Sequence, residues 1–335
     1  MKKVFGLVTL LLLLVSCHRN PLKVDVSDID IKLNIKRLDR DFFQLNPDNL
    51  ASKLPELKQY YGSFFDTYNQ DIIALGSPSD SLYSTYLMEF LADTIRVQSR
   101  QKVDSVFNDL SGIEKKLADG FRHYKHYFPQ RIIPQVYTMI SGFNQSVVLT
   151  RDAVGISLDN YLGTKCPYYA MLAIPHYKRE NMRAERIPAD VLYSWGISEF
   201  EFDDSKDNLL ANMIYQGKML YFLDAMFPED PDYLKIGFSP EKLDWCLKNE
   251  AGIWTYLVEH KLLFTTERMN IVRFIGPAPF TSAFTTDSPG RAGVWLGWQI
   301  VRKYMDKNRQ ISLQTLMADN DFQKILNESG YSPAY

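Results

Sequence analysis

Cysteine is scarce in this chain of 335 residues, with only Cys17, Cys166 and Cys246 present. Cys17 closes an N-terminal apolar run, which leaves two cysteines far apart and excludes a disulfide framework. Both lie in apolar surroundings, KCPYY and DWCLK, and are expected as buried free thiols. Pairing between them in an oxidising compartment is the alternative. Histidine is nearly as rare, at five residues, and no Ser-His-Asp arrangement stands out. Positive charge is not in excess: the formal net charge is −2, which excludes the concentrated basic surface that nucleic acid requires. Beyond the N-terminus, no stretch reaches the roughly eighteen consecutive apolar residues of a membrane helix. No internal repeat or low-complexity tract interrupts the chain. What is present is a composition 46% hydrophobic and 13% aromatic, that of a folded body with a sizeable core.

The chain opens MKKVFGLVTLLLLLVSC, with Lys2 and Lys3 ahead of an apolar run from residue 4 to 15. At about 1.5 Å per residue, that run is too short for a hydrocarbon core roughly 30 Å thick, so residues 1–16 read as a signal peptide. Leu14-Val15-Ser16-Cys17 resembles the lipobox of bacterial lipoproteins, in which the cysteine is lipidated and becomes the mature terminus. An ordinary secretory signal with a chance cysteine is the alternative. Removing residues 1–16 takes away two lysines and no acids, leaving 36 basic against 40 acidic residues, net −4. The mature chain is therefore expected to be held to membrane lipid through acylated Cys17. Residues 17–30, polar and without periodicity, read as a tether, and residues 31–335 as a single domain.

IKLNIKRLDRDFF (31–43) alternates Ile31, Leu33 and Ile35 with polar neighbours, which predicts a strand. From 48 to about 128 the period turns helical, with Asp48 and Ser79 as N-caps and Leu82, Tyr86 and Phe90 on one face. After breaks at Pro129 and Pro134, residues 136–140 alternate as a strand. SVVLT and VGISLD then form a hairpin around Arg151-Asp152-Ala153. The remainder reads as helices near 188–200, 205–226, 240–260, 289–306 and 312–328. This order predicts an α+β class, predominantly helical with a small antiparallel sheet. The domain divides into a sheet-bearing half, 31–165, and a helical half, 166–335.

In LANMIYQGKMLY (210–221), Asn212 and Gln216 lie four apart and share a helix face, with Met213 one step along. HExxH at these positions would propose a zinc hydrolase; an ordinary core helix is the alternative. Gly217-Lys218 lacks the upstream glycine and the following Ser/Thr of a phosphate loop. His123 and His126 stand at i, i+3, a spacing metals use; without further ligands they read as two histidines beside aromatics. In PGRAGVWLGWQIVRKYM, Pro289 suits a first helical turn. Gly293 and Gly297 each cost about 1 kcal/mol inside a helix, which close approach of another backbone or of a ligand would offset. NEAGIWTYLVEH places Glu250 early in a helix with Trp254 on the same face, where the macrodipole accounts for the acid.

In order, the lipobox, HYFPQRIIPQVYTMISGFN, VGISLDNYLG, MIYQGKMLYFLDAMFP, NEAGIWTYLVEHKLLF and SPGRAGVWLGWQIVRKYM resemble the gliding motility lipoprotein GldB family. The resemblance covers essentially the whole mature chain. It implies a cell-envelope lipoprotein required for gliding where gliding occurs, with partners in the motility or secretion machinery. The acidic run that marks surface export in related envelopes is missing after Cys17. That implies a periplasm-facing body, at the outer membrane in preference to the inner.

More distantly, the block order is similar to zinc proteases with an HExxH helix, a helix carrying a Glu ligand and a glycine-bearing helix. On that likeness Asn212, Met213 and Gln216 stand at the His, Glu and His positions, and Glu250 at the third ligand. Carboxamides bind zinc poorly, a thioether is no base, and one Glu cannot hold the metal. The likeness implies a degenerate, gluzincin-like pseudo-peptidase with no catalytic residue, metal or cofactor. Its cleft, with Asn212, Met213, Gln216, Glu250 and Trp254, would dock a protein partner. Two other classes stay open: an envelope hydrolase using a carboxylate pair, and a glycan-binding lipoprotein using Tyr168, Tyr169, Trp254 and Trp298.

Overall fold

The structure, a computed structural model, describes residues 20–333; the signal-like run and Cys17 lie outside the described residues. A first group of helices comprises α1 (Leu50–Tyr61), α2 (Tyr83–Ala92), α3 (Thr94–Val106) and α4 (Ser111–Tyr127). The second comprises α5 (Ile187–Glu199), α6 (Leu209–Met226), α7 (Pro240–Glu259), α8 (Arg268–Ile275), α9 (Ala292–Lys307), α10 (Leu313–Ala318) and α11 (Phe322–Ser329). One four-stranded sheet contains β1 (Lys36–Arg37), β2 (Gln135–Met139), β3 (Val147–Leu149) and β4 (Ala153–Ser157), in the order β1-β2-β4-β3. The class is α+β and predominantly helical, as expected.

The sheet itself is mixed, which corrects the antiparallel expectation. β1, β2 and β4 run parallel, and only the β3–β4 hairpin is antiparallel. A period of two fixes which face a residue takes, and carries no information on which strand lies alongside. The hairpin folds so that β3 takes the edge and β4 pairs with β2, setting Tyr137 opposite Gly155. A Cβ at Gly155 would lie 2.4 Å from the Phe64 ring, which stacks on Tyr137 at 4.5 Å.

Segment 31–43 supplies only two strand residues, because only Lys36 and Arg37 find partners, on β2. The chain turns helical at Leu38, where buried Asp39 takes the Arg37 guanidinium at 2.6 Å and the Thr138 hydroxyl. On α2 the core face is Tyr83, Leu87 and Phe90, while Leu82 and Tyr86 are exposed. Neither Asp48 nor Ser79 caps a helix: Asn49 and Leu82 hold those positions. The stretch 312–328 is two helices, capped by the side chains of Ser312 and Asp321, with extended Asp319 between them.

The core centres on α6. The Asn208 side chain accepts the Ala211 N–H at 2.9 Å and fixes the start of that helix. The helix is buried nearly all round, as a helix apolar on every side must be. α4, α5, α8 and α11 pack on it, and α9 makes the most extensive contact. At that crossing a Cβ on Gly297 would sit 1.9 Å from the Met213 carbonyl oxygen, and one on Gly217 2.4 Å from the Gly297 carbonyl. The compensation expected for the α9 glycines is therefore backbone contact. Cys166 and Cys246 are buried and free. No described helix is long and apolar enough to cross a membrane.

Residues 20–30, within the stretch expected as a tether, are laid along the body. The Asn20 amide donates to the Pro228 carbonyl at 3.1 Å, Lys23 pairs with Glu229, and Val26 is buried.

Candidate functional site

Because β2 and β4 are parallel neighbours, both release the chain at the same edge of the sheet. Crevices outside the carboxyl ends of parallel strands are a recurrent place for ligands in α/β sheets. Here a cavity of about 570 Å³ opens there. Phe143, Asn144 and Ser146 line it from beyond β2, and Asn160 and Tyr161 from beyond β4. The opposite wall contains residues 172–175, 177–178 and 180–182, Asp190 of α5, Lys242 of α7 and the turn that ends at Arg291.

Buried Asp159 shapes the strand-end loops. Its carboxylate accepts N–H groups from Ser141 at 3.3 Å and Phe143 at 2.7 Å. Burial pushes this carboxyl up to about 6, opposed by those N–H donors. Next to it, the Asn160 amide donates to the Gln145 carbonyl at 3.1 Å, tying residues 141–146 to the end of β4. The Tyr161 hydroxyl donates to Asp190 at 3.0 Å, with Ser146 facing the same hydroxyl. Asp190 also pairs with buried Arg186.

Backbone strain gathers at this cavity. Phe143, Ala173 and Arg291 all line it and have φ of 66°, 53° and 64°. Residues with a Cβ rarely adopt that left-handed region, at a cost of roughly 1–2 kcal/mol each. They come from three separate segments. Arg291 is the residue before α9, so Pro289 stands ahead of that helix and not in its first turn. The Thr281 hydroxyl takes the capping role, accepting the Ala292 N–H at 3.2 Å and donating to the Pro289 carbonyl at 2.8 Å.

The charges of the cavity are unevenly matched. Glu180 meets Lys242 at 3.4 Å and the His176 ring at 3.4 Å, and Asp190 meets Arg186. Lys178 has no carboxylate partner among the described residues, and Arg291 reaches the Ile236 carbonyl at 3.4 Å. Arg291 also faces the Tyr193 hydroxyl, whose titration burial pushes up and Arg291 pulls back.

The candidate site residues named from sequence lie apart from this wall. Asn212 donates to Asp207 at 2.6 Å and to the Asn208 carbonyl at 2.9 Å. Met213 is fully buried, with its carbonyl under Gly297. Gln216 accepts from Tyr193 and so stands one residue behind Arg291. Glu250 accepts the Tyr331 hydroxyl at 2.5 Å, and Trp254 packs edge-on against that Tyr331 ring at 5.4 Å. Cys17 lies outside the described residues. Of the aromatics considered for glycans, Tyr169 and Trp298 are fully buried; Trp298 donates to Asp224 at 2.9 Å. Buried His123 bonds the Asp119 carbonyl at 3.0 Å, and His126 is exposed. Among the described residues, no group of three His, Cys, Asp or Glu is placed to hold a metal.

Reading the residues missed the cavity, most of whose side chains sit outside the long helices and strands, in segments with no periodicity. One signal was available: ISGFN, SLDNYLG and SPGR, the ends of three blocks that carried the family resemblance, converge in its wall.

These features define a predominantly helical α+β protein with a polar crevice at the carboxyl edge of a small mixed sheet. The chain belongs to the family described as gliding motility protein GldB, whose profile matches residues 19–333. It is thereby a lipoprotein of the gliding motility type, associated with the cell envelope. No curated protein and no solved structure matches the chain.

Proposed function

We propose that the chain serves motility as a non-enzymatic lipoprotein anchored by acylated Cys17, facing the periplasm from the outer membrane. Its cavity holds an acidic segment of an envelope protein partner. The charge balance supports this reading: Asp190 and Glu180 are already matched by cations, while Lys178 and Arg291 lack carboxylate partners. A carboxylate committed to an ion pair is poorly placed to transfer protons, whereas an unmatched cation is ready to bind an anion. The degenerate-peptidase reading belongs to the same proposal. Asn212, Met213 and Gln216 supply neither imidazole nor base; the Asn212 amide donates to Asp207 and the Gln216 amide oxygen accepts from Tyr193.

The test is complementation of a deletion strain of a gliding host, with protein abundance checked for each variant. Lys178→Glu combined with Arg291→Glu is expected to abolish gliding at normal abundance; full gliding would sink the cavity's role. Glu250→Gln keeps shape and removes charge, so it is expected to complement. A null Glu250→Gln at normal abundance would replace the binding reading with a carboxylate enzyme.

A further inference from the structure

We propose that the corner of the body formed by Asn20, Pro228 and Arg309 is its membrane-contact face, with lipid headgroups as the partner. This rests on the reading that Cys17 is acylated. From Cys17 to Asn20 the chain takes three steps, which span about 11 Å at most even fully extended.

Asn20 does not swing freely at the end of that leash. Its amide donates to the Pro228 carbonyl at 3.1 Å, and the next residues are fastened in turn. Leu22 packs against the core and its carbonyl accepts the Tyr127 hydroxyl at 3.4 Å; Lys23 pairs with Glu229, and Val26 is buried. Residues 20–26 thus carry any pull at the terminus directly into the corner where α6 ends. Asn20 and Pro228 share a surface hollow there with Met305, Asp306 and Arg309, from the end of α9 and the turn beyond it.

The chemistry of the corner suits headgroups and not acyl chains. Lys23, Glu229, Asp306 and Arg309 are all more than half exposed, and they form two ion pairs of opposite charges. No large exposed apolar side chain lies in 20–30 or 228–232 or 302–309. The exposed Phe264, which would suit membrane insertion, is at the other end of α6. Its neighbours Leu263 and Thr265 accept N–H groups from Leu210 and Leu209, at 2.8 and 3.0 Å. The eighteen residues of α6 separate the two ends by about 27 Å. Apolar exposure alone would put the Phe264 end on the membrane; the leash puts the opposite, polar end there.

A fluorophore reads the difference on full-length protein, with Cys17 acylation verified by mass spectrometry. Arg309→Cys and Phe264→Cys are labelled separately; Cys166 and Cys246 are buried and do not compete. Each protein is reconstituted into phosphatidylethanolamine/phosphatidylcholine vesicles containing a headgroup-linked quencher, and unchanged thermal unfolding confirms its fold. Position 309 is expected to be quenched several-fold more than position 264. Inserting about twenty Gly/Ser residues before Asn20, with a reach of roughly 25 Å, is expected to erase that difference. Equal quenching on the acylated, unextended protein, or stronger quenching at 264, overturns the orientation alone. An unmodified Cys17 defeats the anchor reading, and this orientation with it.

Discussion

The α6–α9 crossing and the cavity rim use backbone geometry in opposite ways. At the crossing, Gly217 and Gly297 occupy positions where any Cβ would strike the neighbouring main chain. The helices gain close contact and give up two side chains. Around the cavity, Phe143, Ala173 and Arg291 hold left-handed conformations that glycine would adopt without strain. There the side chains are present despite the backbone. The first region is spent entirely on holding the fold, and the second stores strain beside open volume. Strained non-glycine residues collected at one cavity point to use of their side chains.

The largest effect expected from breaking this contrast is at the crossing. Gly297→Ala places a methyl 1.9 Å from the Met213 carbonyl oxygen, so α6 and α9 must separate. A loss of about 3 kcal/mol or more is expected in denaturant unfolding, at the upper end for overpacking. Gly293→Ala sharpens the comparison. Its nearest atoms, in Phe274, are 3.0 Å away, and alanine recovers about 1 kcal/mol of helix propensity. If the two variants unfold alike, the crossing is not as tight as its geometry indicates.

A second effect separates the cavity from the core by pH. Asp159 is pushed up from its ordinary 3.8 to about 6, so between those values the folded state binds the extra proton. The stabilisation is full below about 3.8 and is lost as pH rises through about 6, a change of roughly 3 kcal/mol. Asp159→Asn lacks this titration. Its stability relative to the native chain is expected to improve by that order from pH 4 to pH 7. A difference between the two that stays flat with pH would show that Asp159 titrates normally.

The helical half was largely legible because its signals are local. The helices expected near 188–200, 205–226, 240–260 and 289–306 are α5, α6, α7 and α9, with their ends displaced by a few residues at most. The β3–β4 hairpin was legible for the same reason. The parallel pairing of β2 with β4 was not, since it joins segments that the sequence separates by a whole strand. The cavity was harder still. Asp159 holds Ser141 and Phe143 through backbone N–H groups, which leave no trace in residue type. Asn212 and Gln216, by contrast, have the spacing of a catalytic helix, and their amides are taken by Asp207 and Tyr193. Spacing identified a shared face; which partners that face meets depended on the tertiary fold.

The smallest expected stability change gives the sharpest test of the rim. Arg291 has φ 64° and ψ 28°, a conformation free of cost for glycine and worth roughly 1–2 kcal/mol against a residue with a Cβ. Arg291→Gly should relieve that strain. It also removes the guanidinium contact with the Ile236 carbonyl, about 1 kcal/mol for one hydrogen bond, and the charge facing Tyr193. The two effects nearly cancel, so thermal unfolding should shift by less than about 1 kcal/mol equivalent, in the stabilising direction if in either. If the side chain holds an anionic partner, the same variant should impair gliding at normal abundance, and Arg291→Lys should rescue it in part by restoring the charge. Impaired gliding in a protein as stable as the native chain separates use of the side chain from support of the fold. A glycine variant that is clearly less stable would instead make Arg291 a structural clamp between α9 and the short helix Asp232–Ile236.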